Sequence, residues 1–413
     1  MQKTNTLLAP YCIDGDGRQN QNASPSPPPY GIPKLTPGRV DAKFAHAKAG
    51  MRAQAVATIH TLIISGDSSN GAFSTTFNDL NHEFEITGQS FINGADWITL
   101  VGTKRAYLTF RNTSLVTAYD VSLSGGLTLA GSPVSVPVPV YVGVTHNSSF
   151  LFTASYPNGA IATVPLSPDG LPIPPAATTT FPAPDPLPLS PGPVKAALWN
   201  CRCTFLYDQP SPKRPSGPRH AVLSGYPVIP TWIPRLHVVN EEDNSVETWI
   251  MHYTPNNVSL ILQSLAVSTL EVPAGMNVST AAELLISPNG KYLLASNRDA
   301  VALGAGSIAV FQINPPSAET ALTRISITSS GGANPRSMSL DPTGKWLAVV
   351  NGNSNSTAMF AFDQETGVLA SVPVANLTGI TVPETVVWLE DRVTPTATQA
   401  EILRLQRELD PPY

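Results

Sequence analysis

Between residues 281 and 367 the chain carries the same pattern twice. LISPNGKYLLASN (Leu285–Asn297), a short loop and SIAVFQI (Ser307–Ile313) are followed by SLDPTGKWLAVVN (Ser339–Asn351), a second short loop and TAMFAFD (Thr357–Asp363). Each copy reads as a strand, a Pro-x-Gly-Lys turn, a strand ending in Asn, a polar turn and a third alternating strand. Proline and glycine at fixed offsets set such turns, and the β-branched and aromatic runs around them suit a pleated sheet. A repeat of about 55 residues without helical periodicity between its copies predicts the blades of a β-propeller, not a solenoid of helices.

Similar strand blocks recur upstream. They are HTLIISG (His60–Gly66) with GAFSTTF, then DWITLVG (Asp96–Gly102) with KRAYLTF and SLVTAYDVSL, then YVGVTHNSSFLFTASY (Tyr141–Tyr156) with GAIATVPLS. After a break come RHAVLSG, an inserted YPVIPTWIP and LHVVNEEDNSVETWIMHY. PETVVWLE (Pro383–Glu390) stands alone as one inner strand, predicted to pair with the strand at His60 and close the ring through the two chain ends. The break, residues 165–218, holds 15 prolines. Proline removes ladder hydrogen bonds, so only AALWN and CRCTFLYD could be strands there. The count is six recognisable blades and one degraded. The predicted fold is therefore all-β, a seven-bladed β-propeller with one degraded blade and disordered ends. The blades fill residues 58–392, behind a Pro-rich extension over residues 1–57 with seven prolines. In the tail, residues 393–413, Ile402, Leu405 and Leu409 stand at helical spacing and predict a short helix.

Apolar residues make up 42% of the 413, enough for a large core, while charged residues are only 13%, about half the usual share. A net charge of −5 and the lack of any basic patch exclude nucleic acid as a partner. Three cysteines (Cys12, Cys201, Cys203) build no disulfide framework, and the lone C-x-C lacks the second pair a metal site would need. No phosphate-cradling glycine loop is present, so neither cofactor nor metal is expected. No apolar run reaches 18 residues, so no membrane span is expected. The start MQKTNTLLAP lacks a signal-type segment, which makes the cytoplasm the expected compartment. Seven N-x-S/T sequons (Asn22, Asn112, Asn147, Asn257, Asn277, Asn355, Asn376) and the cleavage-like AQAVA (Ala53–Ala57) leave secretion open. A monomer is expected.

Blade geometry ranks the candidate site residues. The innermost strand of each blade is entered from one face, and the turn joining its second and third strands lies on that same face. Arg219 and His220 sit where an innermost strand begins; Glu241 and Arg298 begin second-to-third turns in successive blades. All four are predicted to ring one mouth of the central channel, whereas His146, in a first-to-second turn, faces the other end. Two guanidiniums can grip a carboxylate or phosphate and stabilise an oxyanion, and a carboxylate between them can shuttle a proton.

At SPNGKYLLASNRD, GANPRSMSLDPTGKWLAVVN and SGPRHAVL…LHVVNEEDNSV the chain resembles the seven-bladed lactonase family over roughly residues 58–392. That family includes propeller-type 6-phosphogluconolactonases and the fungal 3-carboxy-cis,cis-muconate lactonizing enzyme. The resemblance implies hydrolysis of an anionic sugar lactone, or lactone-forming cycloisomerisation. It matches the family's active-site Arg of GPRH, Glu of NE and Arg after the next blade's Asn to Arg219, Glu241 and Arg298. It also implies a histidine on the inner strand of the blade before GPRH, but none occurs between His146 and His220. That absence keeps a third reading in play, a propeller that has lost catalysis and serves as a binding scaffold.

Overall fold

A computed structural model of the chain describes residues 57–389 apart from 67–70, 93, 146, 156–158, 181–194, 197–217, 225–232, 255–256, 272–278 and 299–304. The predicted extension, the C-terminal helix, His146 and the two cysteines Cys201 and Cys203 lie outside the described residues, as does most of the degraded blade.

The first sheet holds β1 (Ile59–Gly66), β2 (Ala72–Asn78) and β3 (Phe84–Ser90). The second holds β4 (Trp97–Val101), β5 (Arg105–Phe110), β6 (Leu115–Val121) and β7 (Leu127–Ser135). The third holds β8 (Pro139–Val144), β9 (Phe150–Ser155), β10 (Ala160–Pro165) and β11 (Ala177–Thr180). The fourth runs through β12 (Lys195–Ala196), β13 (Pro218–Ser224), β14 (Arg235–Asn240), β15 (Ser245–Thr254), β16 (Asn257–Leu262) and β17 (Val267–Ser268). The fifth is β18 (Thr280–Ile286), β19 (Tyr292–Arg298), β20 (Ser307–Ile313) and β21 (Leu322–Ser329). The sixth is β22 (Pro335–Leu340), β23 (Trp346–Asn351), β24 (Ser356–Asp363), β25 (Val368–Leu369) and β26 (Ala375–Thr378), and β27 (Pro383–Trp388) then joins the first. Six sheets are thus present among the described residues.

The repeated turn shows why local sequence sufficed for the blades. In both copies a glycine sits at φ +71° (Gly290, Gly344), where a Cβ would be strained. The residue before the proline closes the turn: Ser287 Oγ accepts the N–H of Tyr292 at 3.0 Å, and Asp341 Oδ1 accepts that of Trp346 at 2.6 Å. Side-chain oxygens that satisfy the backbone in this way are what Ser and Asp contribute to turns.

The ring closes as expected. β27 pairs antiparallel with β1, with Leu62 opposite Trp388 and Ile64 opposite Val386. Inner strands β22, β27, β4 and β8 follow one another in contact, as do β13, β18 and β22. Apolar layers fill the gaps between sheets: Leu62, Phe77, Trp346, Val350 and Trp388 join the first to the sixth, and Val222, Val239, Leu284 and Phe311 join the fourth to the fifth. The third and fourth sheets each carry a separate cluster, around Phe152 and around Trp249. Their inner strands still meet, since the rings of Tyr141 and His220 are 6.2 Å apart.

Gly143 on β8 sits directly opposite Phe152 on β9. A Cβ there would lie 2.0 Å from the ring of buried Phe152, which itself packs against Tyr141. Gly143→Val is therefore expected to lower stability by about 1–3 kcal/mol through overpacking, read by chemical denaturation. An unchanged midpoint would contradict so close an approach.

Candidate active site

The mouth is built by a positional rule that three inner strands share. Where an inner strand begins, a proline comes first and the next residue faces the mouth: Arg219 after Pro218, Arg336 after Pro335, Glu384 after Pro383. Proline suits the first residue of a strand, where its missing N–H breaks no ladder bond. The register slips at Pro218/His220 and at Pro335/Ser337, so a bulge re-aims each arginine. Asp96 takes the equivalent place just before β4. The second-to-third turns supply Arg111 after β5, Glu241 after β14 and Arg298 at the end of β19.

Three of the four residues singled out from the sequence form one cluster. Arg219 Nη1 donates to Glu241 Oε2 at 2.9 Å, and Arg298 Nη2 donates to Glu241 Oε1. Their side chains keep 17, 22 and 16% exposure for Arg219, Glu241 and Arg298, which puts them at a mouth and not in the core. Beside them Arg336 Nε pairs with Glu384 Oε2. Arg111 Nη2 reaches Asp96 Oδ1 at 3.2 Å, and the Arg111 N–H donates to Asp96 Oδ2 at 2.6 Å. The mouth thus gathers four guanidiniums against three carboxylates.

The charges feel one another. Burial pushes the Glu241 carboxyl up, but the guanidiniums of Arg219 and Arg298 outweigh it and hold Glu241 below the usual carboxylate range. Burial, with the neighbouring charge of Arg219, pulls Arg298 down to about 10. Burial likewise lowers Arg336, where Glu384 opposes the shift and Arg219 and Arg111 add to it. Crowded guanidiniums whose charge is penalised in this way favour an incoming anion.

His220, next to Arg219 on β13, takes no part in that ion cluster and is 6% exposed. Its Nδ1 meets Glu283 Oε1, and its ring lies 6.2 Å from Trp97 and from Tyr141. Burial and the Glu283 charge raise Tyr141 far above the ordinary phenol range, so it stays protonated. Asn240, Asn297 and Asn351, which recur at the end of the second strand, are fully buried. They tie loops to strands: Asn351 Nδ2 donates to the Ser330 carbonyl at 3.0 Å and Asn297 Nδ2 to that of Thr269 at 3.1 Å. Arg336, Glu384, Asp96, Arg111 and Glu283 were not singled out from the sequence. The first four obey the rule that found Arg219 and Glu241, so the start of an inner strand and the turn position were signals enough. Among the described residues no three His, Cys, Asp or Glu side chains gather as a metal site, and no helix is long and apolar enough to cross a membrane.

A family model described as "Lactonase, 7-bladed beta-propeller" matches residues 57–191 and 207–388. The chain belongs to this lactonase family. Its interruption, residues 192–206, falls between β11 and β13, in the stretch predicted as the degraded blade. An Arthroderma benhamiae protein named "Probable 6-phosphogluconolactonase" is 41% identical over 155 residues, covering 37% of this chain and 36% of that protein. The chain therefore spans about a third of that relative. A 6-phosphogluconolactonase of Klebsiella pneumoniae is 27% identical over 64% of this chain and 79% of its own length. Among solved structures, the periplasmic gluconolactonase of Pseudomonas aeruginosa superposes with a TM-score of 0.65 at 17% identity, over 81% of this chain and 100% of that one. A Lactobacillus plantarum protein also gives 0.65, at 18% identity, over the same shares of the two chains. At these identities the superpositions speak for the shared propeller fold.

Proposed function

We propose that the protein hydrolyses an anionic sugar lactone, a phosphorylated one such as 6-phosphogluconolactone. The observation that carries this reading is the crowding of Arg219, Arg298 and Arg336 around Glu241 and Glu384 at one mouth of the propeller. Lactone opening needs an anchor for the anionic group and hydrogen-bond donors where the carbonyl oxygen gains charge. Guanidiniums fixed by carboxylates supply both without moving during the reaction. Glu241, ionised and gripped from two sides, holds Arg219 and Arg298 in place. The fungal and bacterial relatives bearing 6-phosphogluconolactonase names support the same substrate class.

The absence of any histidine between His146 and His220 favours, as a second reading, a propeller that binds such an anion without turning it over. Incubation with 6-phosphogluconolactone and with a carboxymuconate, followed by nuclear magnetic resonance, separates the possibilities. Hydrolysis gives the open hydroxy acid faster than the buffer does. Cyclisation of the carboxymuconate alone would replace the hydrolase reading, and no conversion of either would leave the binding scaffold.

Arg336→Ala is expected to raise KM for a phosphorylated lactone about tenfold while leaving kcat within a few-fold, because uniform binding of the anion is lost. An unchanged KM would remove Arg336 from the anion site.

A further inference from the structure

Two inner strands of adjacent sheets, β13 and β18, are each bulged, and each bulge carries a titratable group. On β13 the register slips between Pro218 and His220; on β18 it slips between Ala281 and Leu284. Strand bulges re-aim side chains and collect beside reactive sites. Here they bring His220 Nδ1 onto Glu283 Oε1. Glu283 interrupts the apolar run TAAELLI and is only 1% exposed. A carboxylate so deeply buried is costly unless paired, and a plain apolar side chain would pack the strand at no such penalty. Its bulge is fixed from behind: Ser296 Oγ accepts the Glu283 N–H at 3.0 Å and donates to the Pro335 carbonyl at 2.9 Å. The groups facing His220 are Glu283 from β18, the phenol of Tyr141 from β8 and the indole of Trp97 from β4, with Arg219 next to it on its own strand. The Leu284 N–H is shared between Glu283 Oε1 at 3.2 Å and His220 Nδ1 at 3.4 Å, the shorter arm going to the carboxylate. The second ring nitrogen, Nε2, makes no hydrogen bond to a described group, in a side chain that keeps 7% exposure.

We infer that His220, oriented by Glu283, is the base that activates water for the ring-opening reaction, and that Glu283 is its positioning residue. This rests on the lactonase reading above. An imidazole with Nδ1–H held by a carboxylate presents Nε2 as the acceptor and is stabilised when it gains a proton, the logic by which a carboxylate serves a histidine base. In the step, an O–H bond of water breaks and its proton passes to Nε2. The water oxygen bonds to the lactone carbonyl carbon, whose oxygen becomes an oxyanion facing the guanidiniums. The bond to the ring oxygen then breaks, Nε2 returns the proton to that oxygen, and the carboxylic acid so formed gives its proton to solvent and leaves as the open hydroxy carboxylate. Glu241, pinned between two arginines, needs to carry no proton.

The test compares His220→Ala, Glu283→Gln, Glu283→Asp and the His220/Glu283 double variant in the full chain, with 6-phosphogluconolactone as substrate. Both His220→Ala and Glu283→Gln are expected to lower kcat about 10²- to 10³-fold with KM within a few-fold, the range of general acid–base assistance. The double variant should be no slower than His220→Ala, since residues acting as a unit are not additive. Added imidazole should restore part of the His220→Ala rate, and Glu283→Asp should recover part of what Glu283→Gln loses. If the pair only clamps two blades together, the variants lose melting temperature while kcat per folded molecule stays intact, and the inference is overturned with the lactonase reading untouched. Independent, additive losses without imidazole rescue overturn it as well. A parent protein without turnover overturns both.

Discussion

Glu241→Gln is expected to lower kcat/KM for a phosphorylated lactone by about 10²-fold or more and to destabilise the folded chain at the same time. The carboxylate accepts from Arg219 and Arg298, and removing it leaves two largely buried guanidiniums beside each other. Removing one partner of a buried charge cluster is commonly worth about 3–5 kcal/mol; with the Glu241 side chain 22% exposed, about 1–3 kcal/mol is the reasonable scale. Losing one fixed oxyanion donor costs a comparable amount in the transition state. The sign of the pH effect follows from the same contacts. Burial works against the charged form, but the two arginines hold the folded carboxyl below its ordinary 4.5. The unfolded chain thus takes up the proton first on acidification. The stabilisation is present above 4.5 and lost as pH falls through the folded value, so the wild type should lose melting temperature more steeply in acid than Glu241→Gln. A fall in kcat alone, with melting temperature unchanged, would restore Glu241 to the proton-carrying role that the sequence predicts. No change in either would empty the cluster of function.

A chain ending before Pro383 is expected to lose cooperative folding. That cut removes β27, and with it Val386 and Trp388 from the apolar layer between the first and sixth sheets. It also exposes the ladder edge of β1 from Leu62 to Gly66. Each buried side chain of this size contributes about 1.5–3 kcal/mol, and the whole domain has only about 5–15 kcal/mol to lose. The bared edge would also template pairing between chains. Broad, early melting with aggregation in a thermal scan is the expected result. A sharp transition at the wild-type midpoint would show that the ring does not depend on its closing strand.

The blades and their closure were legible because their determinants are local. Ser287, Asp341, Gly290 and Gly344 act within a six-residue turn, and PETVVW can only be an inner strand in need of a partner. The convergence of Arg219, Glu241 and Arg298 was legible because it follows from where strands begin and turns open. Arg336, inside the quoted GANPR stretch, and Glu384, Asp96 and Arg111, outside the quoted stretches, also sit where inner strands begin or turns open, and applying that criterion to each sheet finds them. Glu283 was not legible. It lies in a run that reads as core, and its partner His220 is 63 residues away on another sheet, brought close only by two bulges. The seventh blade stayed obscure for a different reason, since proline removes the ladder signals by which strands are read.

The most direct test of the arginine mouth compares 6-phosphogluconolactone with unphosphorylated gluconolactone in one assay of acid release, using the wild-type chain and Arg336→Ala. The expected result is turnover well above the uncatalysed rate, a kcat/KM at least tenfold higher for the phosphorylated lactone, and loss of that preference in Arg336→Ala. Equal rates for the two lactones, or a preference that survives Arg336→Ala, would contradict an anion site at this mouth.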